Sequence, residues 1–248
     1  MELFGLQKLS LLDFPEKTAC TVFLGGCNFR CPFCQNGSLV LPGAGEPQID
    51  EEEFFAFLKK RAGILDGVCI TGGEPTLHKD LPVFAEKIRA LGFAVKLDTN
   101  GSRPDVLRTM VEAGLVDYAA MDIKNARAKY ASTCGLDKLD IGKIEQSAAF
   151  LMEGRIPYEF RTTVVRELHG FSDFEAIGRW LDGARAYTGE YEVARKKDDP
   201  AALLYSGGTT GTTKGIELSN LNFNALALQT GAMSHSIAPG QSMLAVMP

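Results

Sequence analysis

The stretch ACTVFLGGCNFRCPFCQN, residues 19–36, places an apolar, β-branched run directly before three cysteines. Cys27, Cys31 and Cys34 are separated by three and then two residues, with glycine, proline and aromatic residues beside them. Thiolates are soft donors that suit zinc, or iron with sulfide. A structural zinc site usually takes four ligands from two separated pairs, and this sequence has no second pair. If the three cysteines each bind one iron of a [4Fe-4S] cluster, the fourth iron has no protein ligand and can coordinate a substrate.

The other three cysteines have a plainer interpretation. Cys20 alternates with Val22 and Leu24 on one face of the predicted strand, so we interpret it as a small buried hydrophobe and not as a fourth ligand. Cys69 and Cys134 receive the same interpretation. Because three of the six cysteines lie within eight residues, metal ligation is favoured over a disulfide framework.

Length and composition set the class of protein. With 248 residues, 45% hydrophobic and 23% charged, the chain is typical of a globular protein with one large or two small domains. A net charge of −5 gives no reason to expect nucleic acid or an anionic membrane surface as a partner. The first residues lack the pattern of a signal peptide, and the longest apolar stretch is too short to span a bilayer. We therefore expect a cytoplasmic protein.

The chain alternates between strand and helix patterns up to about residue 187. Apolar, β-branched runs predict strands at about 19–25, 67–71, 93–98, 117–123 and 158–165. The helical patterns are EEEFFAFLKKRAG, LPVFAEKIRALG, PDVLRTMVEAG, GKIEQSAAFLMEG and DFEAIGRWLDG. Repeated strand and helix predict parallel strands joined by crossovers, in a barrel or a doubly wound sheet. In both arrangements the active loops follow the carboxyl ends of the strands.

Polar residues follow several of the predicted strands. Asp98 and Asn100 come at the end of the third strand, Asp122 and Lys124 at the end of the fourth, and Arg161 lies on the fifth. Because Asp122 and Lys124 are two residues apart, they face the same side of a strand, here the barrel interior. A carboxylate and an ammonium are costly there unless they pair or bind a ligand. The alternatives are therefore a buried ion pair and a ligand site.

The cysteine spacing after a first strand resembles that of the radical S-adenosylmethionine (SAM) superfamily. The sequence ITGGEPTL, residues 70–77, closes the second strand and is similar to the methionine-binding turn of that family. The residues of this turn are Gly72, Gly73, Glu74 and Pro75. Its glycines allow backbone to approach a ligand closely, and its carboxylate can accept from an ammonium group. The resemblance implies a [4Fe-4S] cluster held by the three cysteines, with S-adenosyl-L-methionine as the second cofactor.

A resemblance to the activases of glycyl radical enzymes implies further contacts to SAM. It implies that Asp98, Asp122 and Lys124 contact the ribose and the amino acid part of SAM. Asn100 and Arg161 are additional candidates. The chemistry requires no side chain as a general base.

The histidines fit that picture, because their spacing shows no Ser-His-Asp arrangement. His78 lies beside the GGEP turn, at the expected start of a helix. His169 is interpreted as a surface-loop residue, and His235 lies far along the chain.

The opening of the chain, residues 6–40, resembles the anaerobic ribonucleoside-triphosphate reductase activating proteins, and the likeness continues to about residue 187. It implies a partial (β/α)6 TIM-like barrel of the α/β class over residues 1–187. It also implies that a 5′-deoxyadenosyl radical, made by reductive cleavage of SAM, abstracts hydrogen from a glycine. The implied partners are a glycyl radical enzyme, namely that reductase, and an electron donor. The alternatives are another radical SAM enzyme, acting on a peptide or small molecule, and a zinc-binding module.

Beyond Tyr187 the sequence changes character. Residues 188–200 are polar and charged, and are predicted to be a linker that replaces the sixth barrel strand. Residues 201–248 resemble the AMP-binding acyl-CoA synthetases, whose phosphate loop cradles ATP with backbone N–H groups and hydroxyls. The matching loop residues are Ser206, Gly207, Gly208, Thr209, Thr210, Gly211, Thr212, Thr213, Lys214 and Gly215. We expect a foreign fragment of a ligase domain that has no adenylating function of its own.

Overall fold

The computed structural model describes residues 1–43, 48–184, 186–189, 200–207 and 213–219. The chain divides into two compact units, Met1–Thr188 and Gly189–Pro248. The division into a barrel, a linker and a ligase-like segment, with boundaries at about residues 187 and 200, stays a prediction.

The first unit is built on a seven-stranded sheet whose spatial order equals the order along the chain. The strands are β1 Leu3–Ser10, β2 Ala19–Leu24, β3 Gly67–Gly72, β4 Ala94–Thr99, β5 Tyr118–Asp122, β6 Tyr158–Thr162 and β7 Tyr187–Gly189. β1 runs antiparallel to β2, whereas the strands from β2 to β6 run parallel to one another. The carboxyl ends of these five parallel strands therefore meet at one edge, as in a partial barrel.

Helices connect the parallel strands. They are α1 Gly37–Val40, α2 Glu51–Lys60, α3 Leu81–Ala90, α4 Pro104–Glu112, α5 Tyr130–Thr133, α6 Ile141–Met152 and α7 Phe171–Trp180. Single turns of 3-10 helix lie at Pro75–Leu77 and Arg127–Lys129. Within the described ranges, the helices are too short or too polar to cross a membrane.

Helix α2 shows how local sequence fixes a helix. Asp50 precedes it, and its carboxylate accepts from Glu52 N over 2.6 Å, which satisfies a backbone donor of the first turn. The first turn is acidic, and the last turn carries Lys59 and Lys60, so charges of both signs lie where the helix dipole favours them. The helix buries only Phe54 and Leu58, as expected for a helix with one apolar face.

The two faces of the sheet have opposite character. Val22, Leu97 and Met121 are fully buried and belong to the core that the strands share with the helices. Cys20 lies in the same core, as its alternation with Val22 predicts. Because successive side chains alternate along a strand, Lys96 points to the opposite face, the interior of the partial barrel. Charged groups on this second face supply the candidate site.

The five parallel strands and the five longer helices predicted from the sequence are confirmed. The structure adds β1, which the sequence did not mark because its burial does not alternate: of its eight residues only Leu3 and Ser10, at the ends, are buried. It also adds β7, beside β6, where the sequence predicted a linker in place of the sixth strand. A strand of three residues is too short to leave a periodic pattern.

The second unit contains an antiparallel hairpin of β8 Pro200–Gly207 and β9 Thr213–Ser219. The ends of the predicted phosphate loop lie in these two strands, where Ser206 pairs with Lys214 and Gly207 with Thr213. The central residues of the predicted loop lie outside the described residues: Gly208, Thr209, Thr210, Gly211 and Thr212. Gly215, the last residue of the predicted loop, lies within β9.

Candidate functional site

The cysteine loop follows the carboxyl end of β2 and is anchored by backbone hydrogen bonds on two sides. Gly26 N donates to the carbonyl of Leu39 in α1 over 2.8 Å. Arg30 N donates to the carbonyl of Cys134, at the end of α5, also over 2.8 Å. The loop is therefore held at the edge of the sheet where the parallel strands end.

The three thiols of the loop differ in exposure and acidity. Cys27 and Cys31 are half-buried, and Cys34 is exposed. A hydrogen bond donated by the Cys134 thiol, together with the charge of Lys124, outweighs burial and lowers the pKa of Cys31 to about 7. Burial raises the pKa of Cys27. The lowered pKa favours the thiolate of Cys31, and the thiolate is the form that binds metals.

The donor set of the loop fits an iron–sulfur cluster. All three cysteines are free thiols on one short loop, and thiolates are the soft ligands that iron–sulfur clusters take. Among the described residues, no three Cys, His, Asp or Glu side chains are drawn together as a preformed metal site. Cys31 instead accepts the hydrogen bond from Cys134, a contact that the interpretation of Cys134 as a plain hydrophobe missed. Cluster binding therefore requires the thiols to converge, since ligand groups and metal organise one another.

The GGEP turn packs tightly against the cysteine loop. A Cβ on Gly72 would lie 2.3 Å from the backbone of Leu24, and one on Gly73 would lie 2.0 Å from the carbonyl oxygen of Gly26. Gly73 N and Glu74 N donate to the carbonyls of Leu24 and Gly26, each over 2.8 Å. The sequence predicted that these glycines allow a ligand to approach. In the structure they allow the close approach of protein backbone, and a larger residue would push the two segments apart.

Glu74 is fully buried, and protein donors occupy both of its carboxylate oxygens. Oε1 accepts from Thr76 N over 3.1 Å, from the Thr76 hydroxyl and from the Thr99 hydroxyl over 2.8 Å, while Oε2 accepts from Asn100 N over 2.6 Å. Burial raises the pKa of Glu74 against the opposing effect of these donors. In the structure this carboxylate ties the turn to the end of β4, and its predicted contact to a ligand ammonium stays a prediction. Pro75, also predicted to contact the ligand, is buried at the start of the 3-10 turn.

Asn100 joins the cysteine loop to the end of β4. Its Nδ2 donates to Asn28 Oδ1 over 2.9 Å and lies 3.9 Å from Cys27 Sγ. Asn28 in turn donates to the Ser102 hydroxyl over 2.9 Å. The structure therefore brings together Cys27 and Asn100, two residues that were predicted from separate motifs.

Six charged side chains form one network on the interior face of the sheet, which we call the ion network. Its contacts are Lys96 Nζ to Asp98 Oδ1 (2.7 Å) and to Glu159 Oε1 (3.8 Å), Arg161 Nη2 to Asp98 Oδ2 (3.1 Å) and to Asp122 Oδ1 (3.4 Å), and Lys124 Nζ to Asp122 Oδ2 (2.8 Å). Four of the predicted site residues thus meet in one network. Cations and anions alternate and are equal in number, so the network is electrically neutral when all six groups are charged.

The ion network has a closed end and an open end. The side chain of Lys96 is 1% exposed, whereas those of Arg161 and Asp122 are 32% and 33% exposed. Burial alone would raise the pKa of Asp122, but the charges of Lys124 and Arg161 outweigh it and hold the pKa below its usual range. Burial alone would lower the pKa of Lys96, but Asp98 outweighs it and raises the pKa. The open end presents charged groups that can bind a ligand.

Sequence reasoning missed Lys96 and Glu159, although a signal for both was present. Each stands two residues before a predicted site residue, Asp98 and Arg161, in the spacing that also relates Asp122 to Lys124. Read alone, a lysine or glutamate in an apolar run suggests a strand end or a solvent-exposed position. Three repeats of the same charged spacing on successive strands indicate instead a charged interior face.

Two histidines hold carbonyl groups of the site loops. His78 Nε2 lies 2.8 Å from the carbonyl oxygen of Gly25, and His169 Nε2 lies 2.8 Å from that of Lys124. The interpretation of His169 as a surface-loop residue is wrong, because this residue is only 8% exposed. His235 lies outside the described residues.

Comparisons with known proteins agree with this arrangement. The sequence model of the Radical SAM superfamily matches residues 21–173. A protein of Methanocaldococcus jannaschii named as a glycyl-radical enzyme activating enzyme is 33% identical over 190 residues, which are 74% of this chain and 76% of the relative. A 7-carboxy-7-deazaguanine synthase of Thermococcus kodakarensis is 33% identical over 127 residues, which are 44% of this chain and 49% of the relative.

Solved structures show the same fold. Native anSMEcpe with bound AdoMet has a TM-score of 0.51 and 18% identity, and the match covers 71% of this chain and 52% of that chain. At this identity the likeness concerns the partial barrel alone. A second sequence model, that of the AMP-binding enzymes, matches residues 126–248 and overlaps the first.

Proposed function

Because the chain belongs to the radical SAM superfamily, we propose that it is an activase that generates a glycyl radical on a partner enzyme. The relative from M. jannaschii supports this proposal, since its name carries that activity and the match extends over most of both chains. The resemblance of residues 6–40 to the activating proteins of anaerobic ribonucleoside-triphosphate reductase makes that reductase the proposed partner.

The cofactors are those of the family, a [4Fe-4S] cluster and SAM. When bound and reduced by an electron donor, the cluster would supply one electron for cleavage of SAM to methionine and a 5′-deoxyadenosyl radical, and that radical would take a hydrogen atom from a glycine of the partner. The protein's own part is to bind, orient and shield these groups.

One observation carries the proposal: the cysteine loop and the open end of the ion network lie at the same edge of the sheet. Lys124 belongs to the network, and its charge contributes to lowering the pKa of Cys31 in the loop. We assign cluster ligation to Cys27, Cys31 and Cys34. A ligand that reaches both the cluster and the network needs a group for iron and charged groups for the network, and SAM has both.

We assign SAM binding to the open end of the ion network. Asp122 and Arg161 each keep about a third of the side chain exposed, so both can exchange solvent for ligand groups. Lys124 and Arg161 suit the carboxylate of the ligand, whereas Asp122 suits hydroxyl or ammonium donors. Asp98 is held between Lys96 and Arg161, where it fixes the guanidinium in place.

Anaerobic reconstitution with iron and sulfide tests the cofactor assignment. The unchanged protein should become brown, with a thiolate-to-iron absorption band, and should form 5′-deoxyadenosine when it is reduced in the presence of SAM. Cys31→Ala should lose both signals, whereas Cys20→Ala is the matched control, because Cys20 lies in the apolar core and should leave them intact. A colourless protein that binds zinc tightly would contradict the assignment.

The partner is tested separately. After mixing with an anaerobic ribonucleoside-triphosphate reductase, a glycyl radical should be visible by electron paramagnetic resonance. If 5′-deoxyadenosine forms but no glycyl radical appears, the named partner is wrong and the enzyme acts on another substrate. A small molecule is then favoured, since a deazaguanine synthase is among the relatives.

We also propose that residues 201–248 form a segment of AMP-binding type, distinct from the radical SAM unit. The match to the AMP-binding enzymes includes these residues, and the boundary of the compact units at Thr188 supports the division. ATP–pyrophosphate exchange with a fatty acid measures adenylation directly. We expect no exchange, and a positive result would assign a second activity to the chain.

A further inference from the structure

Three consecutive backbone carbonyls at the end of β5 each accept a hydrogen bond from a side chain of a different element. The pairs are Tyr130 Oη with the Asp122 carbonyl (3.1 Å), Thr162 Oγ1 with the Ile123 carbonyl (2.7 Å) and His169 Nε2 with the Lys124 carbonyl (2.8 Å). We call Tyr130, Thr162 and His169 the carbonyl clamp. The clamp is buried, with side chains from α5, from β6 and from the segment before α7.

His169 is the member of the clamp whose orientation is most fully determined. A carbonyl can only accept, so Nε2 carries the hydrogen that it donates to the Lys124 carbonyl. In the neutral tautomer that donates from Nε2, Nδ1 accepts from Val165 N over 3.0 Å, and it also lies 3.1 Å from the Val165 carbonyl oxygen. The ring also stacks on Phe174, with the ring centres 5.7 Å apart and the planes at 20°. Both ring nitrogens and one ring face are thus engaged.

The held carbonyls belong to the segment that carries two of the proposed SAM contacts. Asp122 and Lys124 point to the interior, and Ile123 between them is fully buried in the core. Fixing the peptide planes on both sides of a residue fixes the direction of its side chain. The clamp therefore sets where the Asp122 carboxylate and the Lys124 ammonium lie, in the way that residues behind a binding site orient the groups that touch the ligand.

We propose that the carbonyl clamp positions Asp122 and Lys124 for SAM binding, and that His169 is a positioning residue that acts through the carbonyl of Lys124. The inference rests on the proposed function, because it concerns the same SAM site. A purely structural role is the competing explanation, since buried carbonyls need donors in any protein. The two explanations differ in what happens when only the Lys124 bond is restored.

The test compares two amides at position 169. Gln places its amide nitrogen near the position of Nε2 and can still donate to the Lys124 carbonyl, whereas Asn places its polar atoms near Nδ1 and can reach only Val165. Both remove the ring that stacks on Phe174. Affinity for S-adenosylhomocysteine is measured by calorimetry on anaerobically reconstituted protein. We expect His169→Asn to weaken binding about tenfold and His169→Gln to weaken it less than about threefold.

Two further variants keep the test decisive. Phe174→Leu removes the stacked ring but none of the clamp hydrogen bonds, so it should lower the unfolding midpoint and leave affinity unchanged. Thr162→Val removes a clamp hydroxyl at nearly constant shape and should weaken binding several-fold, which supplies an independent result if His169→Asn folds poorly.

Equal loss of affinity in the Asn and Gln variants, or no loss in either, would overturn the inference. Failure of the unchanged reconstituted protein to bind S-adenosylhomocysteine would overturn the proposed function, and the inference with it. The behaviour of the unchanged protein therefore separates the two failures.

Discussion

Glu74 and Asp122 are carboxylates at the same edge of one sheet, yet they are stabilised in opposite ways. Glu74 is fully buried and accepts four hydrogen bonds from uncharged donors, whereas Asp122 is 33% exposed and lies between two cations. Burial raises the pKa of the first, and neighbouring charge lowers that of the second. The uncharged donors engage both oxygens of the Glu74 carboxylate within the protein. Cations at a solvent-facing carboxylate leave capacity for a ligand.

The contrast separates residues that hold the site together from residues that meet the ligand. Glu74 joins the GGEP turn to Thr99 and Asn100 at the end of β4. Asp122 belongs to the ion network, whose cations can be shared with a bound molecule. Substitution of Glu74 should therefore mainly lower stability, whereas substitution of Asp122 should mainly lower ligand affinity.

Removing the Glu74 carboxylate should have the largest expected effect, which is a loss of stability. Glu74→Ala leaves the donors of Thr76, Thr99 and Asn100 buried without acceptors, and we expect the free energy of unfolding to fall by about 3 kcal/mol. Urea unfolding followed by circular dichroism measures the change. Glu74→Gln is the matched control, since it keeps the shape and one acceptor oxygen and should cost less. A loss below about 0.5 kcal/mol in the Ala variant would remove the structural role of Glu74.

Removing the charge of Asp122 should mainly affect binding. Asp122→Asn keeps the shape but weakens the attraction to Lys124 and Arg161, so the positions of both cations become less defined. We expect affinity for S-adenosylhomocysteine to fall about tenfold, with a stability loss of about 1 kcal/mol or less because the group is partly solvated. Calorimetry and urea unfolding on the same preparation check both values. If stability falls as far as in Glu74→Ala while affinity is kept, the contrast between the two carboxylates is wrong.

The two carboxylates should also respond to pH in opposite directions. Asp122 has a lowered pKa, so its stabilising contribution is present above the ordinary Asp pKa of about 4 and is lost as pH falls through the lowered value. Glu74 has a raised pKa, so its contribution is present below the ordinary Glu pKa of about 4.3 and is lost as pH rises through the raised value.

Unfolding of the unchanged protein, Asp122→Asn and Glu74→Gln between about pH 3 and pH 8 measures this difference. The deficit of Asp122→Asn should grow with rising pH, and that of Glu74→Gln should shrink. If the stability deficits of the two variants changed with pH in the same direction, the predicted difference between the two carboxylates would be wrong.

Lys96 should give the smallest effect on ligand affinity, because it lies at the closed end of the ion network. Lys96→Met replaces a side chain that is 1% exposed with an apolar one of similar length, and Asp98 keeps Arg161 as its partner. We expect a change in S-adenosylhomocysteine affinity of about twofold or less, whereas the free energy of unfolding falls because Asp98 and Glu159 lose a buried cation. Lys96→Ala leaves a cavity and is the control for packing. A tenfold loss of affinity in the Met variant would extend the ligand site to the closed end.

Local patterns in the sequence predicted the parallel sheet and the positions of the charged residues. Each parallel strand is an apolar run bounded by turn residues, and the two-residue spacing of Asp122 and Lys124 placed them on one face. Strand β1 was missed because it lies at the edge and buries only its ends. Patterns identify elements with one apolar face, and an edge strand without such a face leaves little signal.

Roles that depend on distant partners could not be predicted. The resemblance of its turn predicted a ligand contact for Glu74. The sequence did not indicate its donors Thr99 and Asn100, because they stand 25 and 26 positions later in the chain. The contacts of Thr162 and His169 to the end of β5 span 39 and 45 positions. Residue type and spacing show that a group can donate or accept, but only the packing of elements decides which partner it has.

The contact of Gly73 with Gly26 has a consequence for engineering. A Cβ on Gly73 would lie only 2.0 Å from the Gly26 carbonyl oxygen. The cysteine loop and the turn are therefore packed in direct backbone contact and behave as one structural unit. A designer who transplants only the three-cysteine peptide into a foreign scaffold leaves out the GGEP turn against which the peptide packs. The smallest portable unit is the cysteine loop together with the GGEP turn and Asn100. Asn100 contacts both, because its backbone N donates to Glu74 and its Nδ2 lies beside Cys27 Sγ.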